Sequence, residues 1–175
     1  KHLPYTTLFR NKPGAMGSQL FDNVVRVHCL DAEGEAHTRT PAELNVSYRH
    51  VSDFETSFAV SAVFRAYPAT ADDILRKLEA SQEKRKKSQP IAKSAGCIFK
   101  NPEGCPAGQL VDELGLKNSH VGKARVSEVH GNFIVNDGGA TASEVLKLIE
   151  QIRALARKNR GIELETEVQI VGEDA

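Results

Sequence analysis

The sequence has no excess of one charge, no long apolar run and no metal-ligand spacing, and each absence removes a class of function. Acidic and basic side chains balance at 23 each, so no net field steers the chain toward nucleic acid or an anionic membrane. No apolar stretch approaches the roughly 20 residues that cross a bilayer as a helix, and the start carries no signal-peptide pattern. Neither a nucleic-acid nor a membrane partner is expected. The cysteines are Cys29, Cys97 and Cys105, an odd number with no C-x-x-C pair, and H-E-x-x-H is missing. A disulfide framework and a metal site are therefore not expected, and the usage fits a reducing cytoplasm. The first residue is Lys1, as expected of a processed, trimmed or fragmentary chain.

What remains is an ordinary globular composition, 40% hydrophobic and 26% charged over 175 residues, enough for one good domain or two small ones. Residues 1–17 read as irregular, with a Pro- and Gly-rich loop at 11–17. Val24 to Leu30 alternates as a strand, Asp31 to Gly34 turns, and Glu35 to Thr40 returns as its hairpin partner. A short helix is expected around Pro41 to Leu44, and Phe58 to Phe64 reads as a more buried strand. Thr70 with Asp73 forms a variant capping box. It opens a helix whose apolar face is Ile74, Leu75 and Leu78, and which runs to about Lys87. The basic end of that helix, Lys84 to Lys87, complements the helix dipole.

Pro106 and Gly115 bracket a second short helix, Ala124 to Val129 reads as a strand, and His130 to Asn136 as a turn feeding another. Thr141 with Glu144 is a full capping box. Val145, Leu148, Ile149, Ile152 and Leu155 follow at helical spacing and mark an amphipathic helix ending before Gly161. Ile162 to Val171 is expected as a closing strand with Glu163, Glu165 and Glu167 on one face. Those acids need solvent or cationic partners, or else one of them is aimed into a site.

The densest stretch is Ser94-Ala95-Gly96-Cys97-Ile98-Phe99-Lys100-Asn101-Pro102. Glycine and proline there fix a defined backbone shape with a thiol inside it. Read alone, Cys97 is either a small core residue or a placed reactive group. Tyr48-Arg49, just ahead of a buried strand, is either a surface pair or a guanidinium held for a carboxylate or phosphate.

Taken in order, five segments resemble the UDP-N-acetylenolpyruvoylglucosamine reductase (MurB) family. Gly14-Ala15-Met16-Gly17 before a hairpin is similar to its flavin-side loop, and Tyr48-Arg49 to its Tyr-Arg pair. Ser94 to Pro102 matches its Ala-Gly-Ser-Phe-Phe-Lys-Asn-Pro signature, with a cysteine in place of the serine. His130 to Asn136 and Leu164 to Val168 match its last two blocks.

The resemblance implies an α+β chain in two parts. Residues 1–68 would be the C-terminal remainder of a FAD-binding domain, and 69–175 a small α+β substrate-binding domain. It implies a bacterial cytoplasmic enzyme of peptidoglycan synthesis that uses NADPH and FAD to reduce UDP-N-acetylglucosamine enolpyruvate to UDP-N-acetylmuramate. Arg49, Cys97 and Glu167 would be catalytic. Arg49 would polarise the substrate carboxylate, Glu167 would assist, and Cys97 would give the enolate its proton. A free thiol, with a pKa near ~8.5, is largely protonated at neutral pH and so can serve. Tyr48, Lys86, Lys100 and Asn101 would contact the UDP-sugar, with Arg85 beside Lys86. Gly14, Ala15 and Gly17 would approach the flavin. The family's glycine-rich pyrophosphate loop has no counterpart here, so the chain is expected to hold a complete substrate domain and the tail of a flavin domain. The alternative is a flavin-free nucleotide-sugar binding module or an inactive remnant.

Overall fold

The computed structural model describes residues 14–15, 18–170 and 172. It is an α+β chain that divides into two compact units, Lys1–Leu75 and Arg76–Ala175.

In the first unit, β1 (Gly14–Ala15) pairs with β2 (Ser18–Gln19). The β-branched run at 24–30 forms β3 (Val24–Leu30), which pairs on one side with β4 (Ala36–Arg39) and on the other with β7 (Phe58–Phe64), all antiparallel. Asp31 fixes the β3–β4 turn by accepting from the Glu33 and Glu35 N–H groups. Between them, β5 (Val46–Ser47) and β6 (His50–Val51) make a small hairpin. Val24, Val27, Cys29, Leu44, Val51, Phe54 and Ala59 form the unit's core. The short helix expected at 41–44 is a turn instead. The Glu43 carboxylate bonds back to the Thr40 N–H and hydroxyl at 2.7 and 2.8 Å, which closes one turn without propagating it.

Helix α1 (Ala71–Ser88) starts where the Thr70 hydroxyl accepts the Asp73 N–H and donates to its carboxylate. None of its residues is buried. The expected apolar face is present as a pattern, but Ile74, Leu75 and Leu78 are each about half exposed.

The second unit is a four-stranded antiparallel sheet in the order β8-β11-β10-β9, made of β8 (Ser94–Cys97), β9 (His120–Val121), β10 (Ala124–Val126) and β11 (Phe133–Asn136). It carries α2 (Ala107–Glu113) and α3 (Ala142–Arg160). The capping box at Thr141 and Glu144 is complete, and α3 turns Leu148, Ile149, Ile152 and Ala156 inward against Ile98, Phe99, Leu110, Val126 and Ile134. Apolar burial of this kind contributes about 25 cal/mol per Å², which makes this cluster the platform for everything above it. β10 stops at Val126, earlier than expected, because buried Ser127 turns its hydroxyl to the N–H groups of Val129 and His130.

Residue 171 lies outside the described residues; among those described, the closing strand expected over 162–171 is reduced to a single bridge between Phe99 and Thr166. Its acids are taken one by one. Glu163 pairs with Arg157, Glu165 pairs with Lys100 at 2.5 Å, and Glu167 offers its N–H to the Ile98 carbonyl. The ion pairs of Glu163 and Glu165 relieve the repulsion among the acids on this face, and the main-chain bond of Glu167 holds the segment against Ile98 without a regular ladder.

Candidate active site

The site grows from the end of β8. Gly96 has φ +90°, in the left-handed region where only glycine is unstrained, so the chain can turn sharply into Cys97. Cys97 is half-buried, and Ile98 and Phe99 after it are fully buried anchors in the core. The thiol is thereby carried on a segment held from below. On one side the Cα partner of Cys97 is Phe133 of β11. On the other side the Ile98 carbonyl accepts the Glu167 N–H at 2.7 Å. The segment that carries Cys97 is thus joined, through Ile98, to the segment that carries Glu167, distant in sequence.

Beyond Lys100, the Asn101 side chain accepts the Ala107 N–H at 2.9 Å. Pro106 at the α2 N-cap makes no side-chain bond of its own, so the amide of Asn101, ahead of it in the chain, supplies the cap. Cys97 and Asn101 line a cleft of about 340 Å³ whose other polar lining includes Gln109, Asp112, Lys117 and His130. Lys117 and Asp112 form an ion pair at 2.6 Å on its rim.

His130 stands edge-on to Phe133, with ring centroids 5.0 Å apart. Its Nδ1 accepts the Asn132 main-chain N–H at 3.1 Å, so the neutral ring carries its proton on Nε2. Burial, and then the nearby Lys117 cation, push its pKa below the usual value. Helix α2 approaches so closely that a Cβ at Gly108 would lie 2.5 Å from His130 Cε1.

Asn132, only 3% exposed, ties this arrangement together. Its side-chain oxygen accepts the Phe99 N–H at 2.8 Å, its amide NH2 donates to the Phe99 carbonyl at 2.8 Å, and its own carbonyl accepts the Ile98 N–H at 2.9 Å.

The remaining sequence-predicted residues belong to other elements or segments of the two units. Lys100 is engaged by Glu165. Tyr48 and Arg49 form the tip of the β5–β6 hairpin, the guanidinium carbon 5.8 Å from the tyrosine ring centroid, and Arg49 has φ +56°. Such a conformation is costly for a bulky side chain and concentrates at functional positions. Lys86 and Arg85 are exposed in the last turn of α1. Gly14 and Ala15 form β1, and Gly17 lies outside the described residues. His130, Asn132, Gln109, Asp112 and Lys117 had no role from sequence reasoning. The signal for the first two was a polar His-Gly-Asn triplet directly before the apolar Phe-Ile-Val run.

Residues 86–171 match the family model of the UDP-N-acetylenolpyruvoylglucosamine reductase C-terminal domain. The chain is 37% identical over 164 residues to the UDP-N-acetylenolpyruvoylglucosamine reductase of Parvibaculum lavamentivorans, covering 93% of this chain and 53% of that one. It is 40% identical over 166 residues to the reductase of Syntrophus aciditrophicus, covering 94% and 53%. The solved structure of the Thermus caldophilus reductase superposes with a TM-score of 0.82 at 34% identity, covering 94% of this chain and 59% of that one. The chain spans about half the length of the curated relatives it matches.

Proposed function

Because this chain belongs to the UDP-N-acetylenolpyruvoylglucosamine reductase family as its C-terminal portion, we propose that it forms the substrate half of such a reductase. In this reading the reductase makes UDP-N-acetylmuramate for peptidoglycan in the bacterial cytoplasm. The observation that supports it is the hydrogen bond from the Glu167 N–H to the carbonyl of Ile98, the residue after Cys97 on the family's signature segment.

Hydride addition to the enolpyruvyl double bond moves an electron pair onto the carbon next to the carboxylate. Arg49 holds that carboxylate and spreads the developing charge, and Glu167 assists in orienting the enolate. The Cys97 thiol gives its proton to the carbon, and the thiolate left behind recovers one from water. Tyr48, Lys86, Lys100 and Asn101 are the proposed UDP-sugar contacts. Lys100 must exchange Glu165 for the substrate to serve.

FAD, reduced by NADPH, supplies the hydride when bound. Gly14 and Ala15, on β1 of the β1–β2 hairpin, are the proposed flavin contacts of this chain. The family's glycine-rich pyrophosphate loop has no counterpart in this sequence, and that hairpin is the share proposed for this chain in holding the flavin. The same observation supports a second reading, a nucleotide-sugar binding module without flavin.

A titration of the chain with FAD, followed by its visible spectrum, and thermal melting with UDP-N-acetylglucosamine enolpyruvate separate the two. Saturable binding of both supports the reductase half. A raised melting temperature with the UDP-sugar alone supports the module. No response to either overturns both readings.

A further inference from the structure

We propose that Asn132 is a positioning residue of this site, whose combined main-chain and side-chain bonds hold the kink that aims the Cys97 thiol into the cleft. The inference rests on the reading of Cys97 as the proton donor and extends it to the group that fixes its direction.

In a regular strand successive N–H groups face opposite ways, so neighbouring residues do not bond the same partner. Ile98 and Phe99 break this pattern, because both N–H groups go to Asn132, one to its main-chain carbonyl and the next to its side-chain oxygen. The Ile98 carbonyl meanwhile goes to Glu167 on the other side. The strand therefore kinks immediately after Cys97, and the β8–β11 register also shifts just before it, between Ser94 and Cys97.

The Asn132 amide substitutes for the missing ladder, taking the Phe99 N–H and satisfying the Phe99 carbonyl at 2.8 Å each. Its own N–H fixes the His130 ring. Cys97 and His130, both lining the cleft, thus take their orientation from one buried residue. A purely structural asparagine would need only to be satisfied itself. This one satisfies three main-chain groups in the two residues that follow the thiol.

The test is site-resolved alkylation of the full chain by iodoacetamide across pH, read by peptide mass spectrometry, with Cys105 as internal control. In Asn132→Ala the alkylation-against-pH curve of Cys97 is expected to shift and its rate to rise about fivefold or more, since rate follows thiolate fraction and access. Cys105 is expected to stay within about twofold by the same criterion. Asn132→Asp keeps the acceptor for the Phe99 N–H but loses the donor for its carbonyl, and is expected to fall between parent and alanine variant. It decides the matter if Asn132→Ala does not fold. Cys97 curves unchanged in the folded variants, or Cys97 and Cys105 moving in parallel, overturn the proposal. Alkylation needs neither flavin nor substrate. An unchanged Cys97 curve therefore overturns the positioning alone, whereas normal turnover without the Cys97 thiol overturns the reaction reading.

Discussion

At the His130 imidazole, burial and then the Lys117 cation both act against the charged ring. Its folded pKa lies below the usual 6.5, so the unfolded chain binds the proton more tightly between the two values. The ring therefore contributes stability that is full above the unfolded value and is lost as pH falls through the folded one. The melting temperature is expected to fall on acidification from about pH 7 to about pH 5, and His130→Gln to flatten that slope. A slope equal to the parent's would contradict this account. Carboxylates held below their usual range, such as Asp137 by its hydrogen bonds from Arg125 and Glu163 by those from Arg157, act at more acid pH.

Gly108 probes the same packing from the helix side. A methyl there meets Cε1 and Nδ1 of His130 at 2.5 and 2.9 Å. The ring must give up its bond from the Asn132 N–H, at an overpacking cost of about 1–3 kcal/mol. Alanine's helix preference returns about 1 kcal/mol at most. Urea unfolding of Gly108→Ala is expected to show net destabilisation, and a stabilised variant would place the His130 ring elsewhere.

At the scale of elements, α3 and α1 have similar caps and different consequences. In α3 the Thr141 hydroxyl accepts the Glu144 N–H, the Glu144 carboxylate accepts the Thr141 N–H, and four residues of the helix are buried. Thr141→Ala is expected to lower global stability by about 1 kcal/mol. In α1 the Thr70 cap starts a helix with no buried residue. Thr70→Ala is therefore expected to speed amide exchange within α1 and leave the unfolding midpoint of the sheet unchanged. A shift of that midpoint would show that α1 is coupled to the core.

Both helices were legible because capping and period act over a few residues. The strand expected at 162–171 was not, because period two describes a strand only when a partner edge runs alongside. Here Arg157, Lys100 and the Ile98 carbonyl each claim one residue of it. The helix expected at 41–44 failed for a local reason, the Glu43 carboxylate closing a turn on Thr40.

For the molecule as a whole, the signature segments were legible in order, and the structure joins two of them through the Glu167 N–H to Ile98 carbonyl bond and the Phe99–Thr166 bridge. The role of Asn132 was not legible, since its bonds to Phe99 span 33 residues and arise only when the sheet assembles. Lys117 and Asp112 entered the cleft in the same way, carried there by α2 and the turn after it.

The central claim is that Cys97 delivers the proton in the substrate half of a reductase. Its most direct measurement grafts this chain onto the remainder of the Syntrophus aciditrophicus relative, which it matches at 40% identity, and follows the flavin by rapid-mixing spectroscopy in parent and Cys97→Ala forms. The account predicts flavin reduction by NADPH at the parent rate and substrate-driven reoxidation slowed about 100-fold or more, the usual contribution of a placed general acid. Reoxidation at the parent rate, or loss of both steps together, would contradict it.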